Sequence, residues 1–148
     1  MTIYPLPDGF SLMIQEGGEA PEAARLLRNR VFIEEQQVSE EEEYDGLDVQ
    51  CSHYVLLKGE IPVATARIRP SGSTYKLERM AVAADWRMHG FGKKLVEHML
   101  AESRLSGKEV YLHAQLQAAG FYEKLGFIPE GPHFEEAAIM HVKMRRKL

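Results

Sequence analysis

The residues from Arg87 to Gly92 have the types and spacing of a loop that could hold a phosphate group. They read Arg87-Met-His-Gly90-Phe-Gly92 and join a strand-like apolar segment to an amphipathic helical one. Glycine lets the backbone turn tightly and approach a ligand without interference from a Cβ atom. The first amides of the following helix lack partners, and the helix dipole is positive at that end. The sequence therefore predicts an anion-binding loop, although a plain strand-to-helix turn would also use glycine.

Two other nucleotide-binding loops do not fit these residues. A dinucleotide-binding fold has Gly-x-Gly-x-x-Gly near the start of a strand–helix–strand unit. Here the third glycine is lacking, and the loop follows more than half of the chain. A Walker loop ends in Gly-Lys-Ser/Thr, whereas Gly92-Lys93 is followed by Lys94. The sequence therefore excludes both classes.

The bulk composition is that of an ordinary globular domain. The chain has 148 residues, 45% of them hydrophobic and 27% charged, with a net charge of −4 at pH 7. This length predicts one domain over residues 1–148, and the negative charge argues against nucleic acid as a partner. Bilayer-spanning apolar runs and signal-peptide features are lacking, and a single cysteine, Cys51, suits a reducing compartment. We expect a cytoplasmic protein without a membrane partner.

The apolar patterns predict a mixed α/β domain rather than a regular alternation of strands and helices. The first strand is expected at the edge of the sheet, and the acidic stretch 39–48 is expected to be a solvated loop. Strands are predicted at 10–15, 51–57, 61–69, 75–82 and 109–114, with a final pair at 127–129 and 138–144; helices are predicted at 19–37, 91–106 and 117–125.

Two segments, in this order, resemble motifs of the GNAT-type N-acetyltransferases. Arg87-x-x-Gly90-x-Gly92 resembles motif A, which is Arg/Gln-x-x-Gly-x-Gly/Ala after a strand, and Phe121-Tyr-Glu-Lys-Leu-Gly-Phe127 resembles motif B. The match covers nearly the whole chain and implies the GNAT fold. That fold has a mostly antiparallel central sheet flanked by helices. Its sheet splays between the fourth and fifth strands, which are here the strands predicted at 75–82 and 109–114.

The resemblance implies acetyl-CoA as the acyl donor. In the family, the amides of the glycine loop hold the pyrophosphate of coenzyme A, and the pantetheine arm adds to the sheet edge at the splay. The tyrosine of motif B, Tyr122 here, points its hydroxyl at the thioester sulfur and is the implied general acid. The implied cofactor contacts are Met80, Ala81, Val82, Arg87, Met88, His89, Gly90, Phe91, Gly92, Lys93, Gln115 and Tyr122.

A narrower likeness concerns the acceptor side. The residues Val31-Phe-Ile-Glu-Glu35-Gln36, His53, Ala114-Gln115 and His141 resemble a small bacterial GNAT branch of largely unassigned substrate. The predicted acceptor-binding residues are Glu35, Gln36, His53, Arg67 and Arg79. None of the six histidines is spaced i, i+4 from another, and a second cysteine is lacking, so no metal site is predicted.

Two residues are candidates for the general base. Strand alternation predicts that Glu78 shares a face with Met80 and Val82, beside the thioester. Its alternative role is a salt bridge to a neighbouring arginine, Arg67 or Arg79. His141 is the second candidate, because imidazole titrates near neutral pH.

The predicted function is transfer of an acetyl group from acetyl-CoA to a primary amine by direct attack. The partner is a small-molecule or peptide amine, and the resemblance allows a homodimer. The alternative is a noncatalytic acyl-CoA-binding sensor or regulatory module on the same fold. Tyr122 favours the enzyme, whereas the fold and the glycine loop suit both.

Overall fold

A single eight-stranded sheet organises the fold. The structure is a computed structural model that describes residues 1–148, apart from the side chain of Ser103. The strands lie in the order β1-β2-β3-β4-β5-β6-β8-β7, and only the neighbours β5 and β6 run parallel. Their bounds are β1 Thr2–Pro5, β2 Phe10–Glu16, β3 Ser52–Lys58, β4 Ile61–Ser71, β5 Thr74–Val82, β6 Glu109–Gln115, β7 Ile128–Glu136 and β8 Ile139–Lys147. The predicted mixed α/β class and mostly antiparallel sheet are confirmed.

Four α-helices flank the sheet, and the first is continued by a π-helix. At Asn29 helix α1 passes directly into a π-helical turn, and the amide of Gln36 donates to the carbonyl of Val31, five residues back, at 3.1 Å. The predicted helix 19–37 is therefore two segments of different pitch. The helices are α1 Glu22–Arg28, the π-helix Asn29–Glu35, α2 Glu40–Glu43, α3 Phe91–Leu100 and α4 Ala119–Lys124. Among the described residues, no helix is long and apolar enough to cross a membrane.

The two faces of the sheet carry cores of unequal size. On one face, Leu95 and Met99 of α3 are fully buried against β3, β4 and β5. On the other face, Ala24 of α1 packs with Val55 and Leu57 of β3. Because successive residues of β3 face different cores, the strand reads as a continuous apolar run instead of an alternating one.

Strands β5 and β6 pair over three residues and then part. Residues 75–77 pair with residues 110–112, whereas β5 continues to Val82 and β6 to Gln115. At the same place β5 has a bulge: Arg67 of β4 faces Glu78, but Thr65 faces Ala81, so β5 carries one extra residue. A bulge bends its strand and increases its twist. The predicted splay between these two strands is confirmed.

Some boundaries differ from the sequence prediction. Strand β1 pairs outside β2, so the strand predicted at 10–15 is not an edge strand. Strand β7 extends to Glu136 instead of ending at residue 129. All four residues of β1 and almost all of β7 are exposed, so neither strand has an apolar pattern that would reveal it.

Candidate active site

The predicted anion-binding loop lies between β5 and α3, beside the gap in the sheet. Gly90 caps α3 with a left-handed backbone, at φ 81°, which L-residues rarely adopt. A Cβ atom at Gly90 would have no described atom within 4 Å, so the space over the loop is open to a ligand. The first helical hydrogen bond runs from the amide of Lys94 to the carbonyl of Gly90. The amides of residues 91–93 are therefore free of helical partners and suited to an anion.

Gly92 has a different role, since it lets α3 pack closely on the sheet. An added Cβ would lie 2.8 Å from Cε of Met80, 3.1 Å from Cγ2 of Val82 and 3.5 Å from Cζ of Phe121. A larger residue here would have to displace the flexible end of Met80 and press on Val82. The contacts bring three predicted cofactor segments together: residues 80–82 of β5, the glycine loop, and α4.

Arg87 connects the glycine loop to the end of β5 and to the π-helix. Its Nε donates to the carbonyl of Val82 at 3.0 Å, and its two Nη atoms each lie 2.9 Å from one oxygen of Glu35. A two-pronged arginine–carboxylate pair is geometrically specific. Glu35, a predicted acceptor residue, is thus paired with a predicted cofactor residue. Met88 and His89 are exposed at the tip of the loop.

Tyr122 is enclosed by other aromatic side chains. Its ring meets Phe121 edge-on at 5.0 Å and Phe127 at 5.9 Å between centroids. Burial raises the pKa of Tyr122 above its usual value, so the hydroxyl stays protonated at neutral pH. Within the described part of the chain, this hydroxyl forms no side-chain hydrogen bond, which leaves it able to donate to a ligand.

A bridge of side-chain amides spans the gap between the first helix and β6. Nε2 of Gln115 donates to Oε1 of Gln36 at 2.8 Å, and Nε2 of Gln117 donates to Oε1 of Gln115 at 2.8 Å. Gln115 is the register partner of His141 on β8. The structure therefore brings together Gln36, Gln115 and His141.

Comparison with known proteins agrees with this geometry. The family model described as an acetyltransferase (GNAT) domain matches residues 19–148. The chain belongs to the GNAT acetyltransferase family. YyaT of Bacillus subtilis (strain 168) is 41% identical to this GNAT domain over 131 residues, which cover 84% of this chain and 87% of YyaT.

Solved structures give the same result for this GNAT domain. An acyl-CoA N-acyltransferase from Pseudomonas aeruginosa superposes with a TM-score of 0.81 at 26% identity, over 93% of this chain and 99% of that one. Escherichia coli ElaA superposes with a TM-score of 0.79 at 29% identity, over 92% and 99% of the two chains. The resemblance found in the sequence is confirmed.

Several predicted site residues of the GNAT domain lie in a cluster of ion pairs instead of facing the gap. Arg67 is completely buried; its Nη1 lies 2.7 Å from Asp48, and its Nη2 lies 2.7 Å from Asp45 and 3.3 Å from Glu78. Arg79 lies 3.0 Å from Glu43 and 3.2 Å from Asp45. We use "the ion-pair cluster" for Arg28, Glu43, Asp45, Asp48, Arg67, Glu78 and Arg79.

Glu78 is held by cations on the side of the sheet away from α3. Its carboxylate lies 2.9 Å from Nε of Arg69 and 3.2 Å from Nζ of Lys76, in addition to Arg67. Burial alone would raise the pKa of Glu78, but these cations lower it, which makes the carboxylate a weak base. Because Arg79 in the bulge has φ 56°, the strand alternation is broken there. The predicted common face of Glu78 with Met80 and Val82 is therefore wrong, and the predicted salt bridge to Arg67 is confirmed.

The acidic stretch 39–48 is not a solvated loop. Glu43 is only 2% exposed and lies 2.5 Å from Nε of the buried Arg28, while Asp48 lies 2.8 Å from Nη1 of the same residue. His53, another predicted acceptor residue, is buried below this stretch. Its Nε2 lies 2.9 Å from the carbonyl of Asp48, and burial lowers its pKa. His53 is thus a neutral ring that donates a hydrogen bond to the backbone of the acidic stretch.

The sequence missed three residues beside His141. Phe134 is its register partner on β7, and Glu136 and His113 lie next to it. They are placed by a two-residue turn at Ala137–Ala138, where both residues have positive φ. Such turns usually carry Asn-Gly or Asp-Gly, so two alanines gave no sign of a long hairpin.

Asp45 should make the stability of the domain sensitive to acid. Burial raises its pKa, but hydrogen bonds from Arg67 and the amide of Leu47 outweigh this and lower the pKa to about 2. A carboxylate with a lowered pKa stabilises the fold above its unfolded pKa, near 3.9, and loses that effect as pH falls towards its folded value. We expect Asp45→Asn to lower the free energy of unfolding by about 2 kcal/mol at pH 7 and by much less at pH 2–3.

Urea unfolding at a series of pH values would measure this. Asp85→Asn, at an exposed aspartate outside the cluster, is the control and should change little at any pH. An Asp45→Asn curve parallel to the wild-type curve from pH 7 to pH 2 would contradict the role of Asp45.

Proposed function

We propose that this GNAT domain transfers an acetyl group from acetyl-CoA to a primary amine, which attacks the thioester carbonyl directly. Family membership supports an acyl-CoA donor, and the Pseudomonas aeruginosa relative is an acyl-CoA N-acyltransferase. The observation that carries the proposal is the convergence of three features on one gap in the sheet. These are the open amides at the start of α3, the free edge of β5, and helix α4, which carries Tyr122 and whose Phe121 lies beside Gly92.

The donor would be held mainly by backbone groups. The free amides of residues 91–93 suit the pyrophosphate. Beyond Leu77, the edge of β5 that faces β6 has no strand partner in the described register, so its peptide groups are available to the amides of the pantetheine arm. One of these carbonyls, that of Val82, already accepts from Arg87. The peptide groups of Ala81 face β4, whereas those of Met80 face the same edge as Val82, so Met80 is better placed than either neighbour to accept from the donor.

The chemistry proposed needs no covalent enzyme intermediate. The amine nitrogen forms a bond to the carbonyl carbon, the C–S bond breaks, and the departing thiolate takes a proton from Tyr122. A cysteine nucleophile is not favoured, because burial raises the pKa of Cys51 to about 11 and its Sγ already donates to the carbonyl of Leu47 at 3.2 Å.

Gly90 provides the test of the donor site. Gly90→Ala places a Cβ in the open space above the loop, so we expect CoA to bind at least about tenfold more weakly, a loss of about 1.4 kcal/mol. Calorimetry with CoA measures this affinity. The double change of Gly90 and Gly92 is less informative, because a side chain at Gly92 also collides with Met80.

Gly107→Ala is the matched control. Gly107 also has a positive φ, 75°, and would have no described atom within 4 Å of an added Cβ, so its substitution imposes the same backbone strain away from the loop. The two variants should lose similar stability, and only Gly90→Ala should lose affinity for CoA. Unchanged CoA affinity in Gly90→Ala would overturn the proposed donor site.

A further inference from the structure

One half of the sheet face on the α1 side has no helix over it among the described elements. Helix α1 covers β3, β4 and β5 on this face, but β6, β8 and β7 continue beyond it. Val110, Leu112 and Ala114 of β6 point into the larger core on the other face. The side chains on the uncovered half alternate with these core residues: Tyr111, His113 and Gln115 on β6, His141 and Lys143 on β8, and Phe134 and Glu136 on β7.

The tautomer of His141 follows from its contacts. Nδ1 lies 2.7 Å from the carbonyl oxygen of Ile139. A carbonyl oxygen can only accept, so Nδ1 must carry the hydrogen, and the neutral ring has its lone pair on Nε2. Nε2 lies 3.9 Å from Oε2 of Glu136. In the neutral form of the ring, two acceptors therefore face each other with no hydrogen between them.

This arrangement favours a ligand with at least two N–H donors and a positive charge. A primary ammonium group meets both needs, since it can donate one hydrogen to Oε2 of Glu136 and another to Nε2 of His141. The ring of Phe134 stacks on His141 at 5.9 Å and meets His113 edge-on at 4.9 Å. The aromatic surface would cover the carbon attached to the ammonium group and attract its charge.

Glu136 is kept ionised by its neighbours. Nδ1 of His113 lies 3.4 Å from Oε1 of Glu136, and this contact lowers the pKa of Glu136 despite its partial burial. The charged groups around the pair come from every adjacent strand. They are Lys76 of β5, His113 of β6, Glu136 of β7 and Lys143 of β8. His113, Lys76 and His141 favour the carboxylate form of Glu136.

The pair borders the gap where the thioester is proposed to lie. Leu77 of β5 is level with Leu112 of β6, so Gln115, three residues further on, is level with Ala81 once the extra residue of the β5 bulge is counted. His141 is the register partner of Gln115 on the far side of β6. An amine held by Glu136 and His141 would therefore approach the gap from the uncovered face.

We propose that Glu136 and His141 bind the acceptor as a protonated alkyl primary amine, and that Nε2 of His141 removes its proton before attack. This assignment rests on the proposed acetyl transfer. One N–H bond of the ammonium breaks and its proton goes to Nε2; the freed lone pair forms the C–N bond as the C–S bond breaks. Tyr122 gives its proton to the thiolate and becomes a phenolate. The nitrogen then loses a second proton, which goes to this phenolate, and His141 releases its proton to water. Aryl amines, which are uncharged at neutral pH, lack the ammonium group.

The first test is spectroscopic and needs no acceptor. In ¹⁵N-labelled protein at pH 8.5, we expect the ring of His141 to be the Nδ1–H tautomer, with Nε2 at the chemical shift of an unprotonated nitrogen. His141→Gln assigns the signals. An Nε2–H tautomer in the wild-type protein would overturn the proposal.

The second test uses methylammonium chloride alone as the probe. Titration should shift the Nε2 resonance of His141 in the wild type and in Glu135→Gln, whose carboxylate lies on the opposite side of β7. Glu136→Gln should abolish the shift, and tetramethylammonium, which has no N–H donor, should produce none at equal ionic strength. No response to methylammonium up to 50 mM, a ceiling chosen on the order of weak fragment affinities, would overturn the site.

A kinetic measurement connects the site to the reaction. With an acceptor found by screening alkyl amines against acetyl-CoA, Glu136→Gln should raise KM for the amine at least about tenfold and leave KM for acetyl-CoA unchanged. His141→Gln should mainly lower kcat. Normal kinetics in both variants would overturn the amine site. If the wild-type protein did not bind CoA at all, the proposed function itself would be refuted.

Discussion

Replacing Tyr122 by phenylalanine should lower turnover by about 10²-fold or more while changing acetyl-CoA affinity little, the pattern of a lost proton donor. The substitution keeps the ring that packs against Phe121 and Phe127 and removes only the hydroxyl. Without that hydroxyl, the thiolate must depart as an anion into a low-polarity pocket, which is unfavourable. Steady-state kinetics give the turnover, and calorimetry gives the affinity.

Tyr54→Phe is the matched control for this prediction. Tyr54 is also buried, and burial likewise raises its pKa, but its hydroxyl accepts a hydrogen bond from Arg104 at 2.6 Å, away from the gap. Its removal should cost stability and spare turnover. Equal turnover in Tyr122→Phe and the wild type would leave Tyr122 as a packing residue. A wild type that binds acetyl-CoA and acetylates no amine would favour the noncatalytic sensor.

The strands that were predicted from sequence are the buried ones. Strands β3 and β4 are buried on both faces, and β6 alternates between a buried and a partly exposed face, so each leaves an apolar signature. Strand β1, which was not predicted, and β7, of which only the start was predicted, are held by backbone pairing at the two edges of the sheet, with exposed side chains. A ladder of peptide hydrogen bonds is independent of side-chain type, so nothing in the local sequence reports it.

The backbone geometry of the glycine loop was predictable from the sequence, because glycine is required where the backbone is left-handed or closely approached. Gly90 has a left-handed backbone, which favours glycine, and Gly92 allows Met80 to approach α3 closely. No glycine marks the bulge in β5, because the residue with positive φ there is an arginine, Arg79. As a result, the face on which Glu78 lies could not be derived from alternation.

The acidic stretch shows a second limit of sequence reasoning. Four consecutive glutamates form α2, and only the last of them, Glu43, is buried. Its partners Arg28 and Arg79 lie 15 and 36 residues away along the chain. Local composition describes all four glutamates alike, and tertiary contacts alone separate the buried charge from the solvated ones.

Arg67 should be the residue of the ion-pair cluster on which stability depends most. Its guanidinium is completely buried and contacts Asp45, Asp48 and Glu78. Removing one partner of a buried ion pair leaves the other charges without compensation, so Arg67→Met should lower the free energy of unfolding by about 3–5 kcal/mol. Arg145→Met is the control: Arg145 is exposed and pairs with Glu109 and Glu130, so its loss should be below about 1 kcal/mol.

The pH dependence of Arg67→Met distinguishes lost charge compensation from lost packing. In the wild type, the folded-state pKa values of Asp45, Asp48 and Glu78 are lowered, so these groups stabilise the fold above their unfolded pKa values and cease to do so as pH falls. Without Arg67, Asp45 loses the largest of the contacts that lower its pKa, while Asp48 keeps Arg28 and Glu78 keeps Arg69 and Lys76. The stability difference between the wild type and Arg67→Met should therefore shrink as pH falls from 7 towards 3. Arg67→Lys restores a charge but not the two-pronged geometry, so its stability loss should lie between those of the wild type and Arg67→Met. This variant replaces Arg67→Met in the measurement if the methionine variant does not fold. If the stability loss in each variant stays the same at every pH between 3 and 7, then Arg67 acts through packing and the cluster is not held by charge.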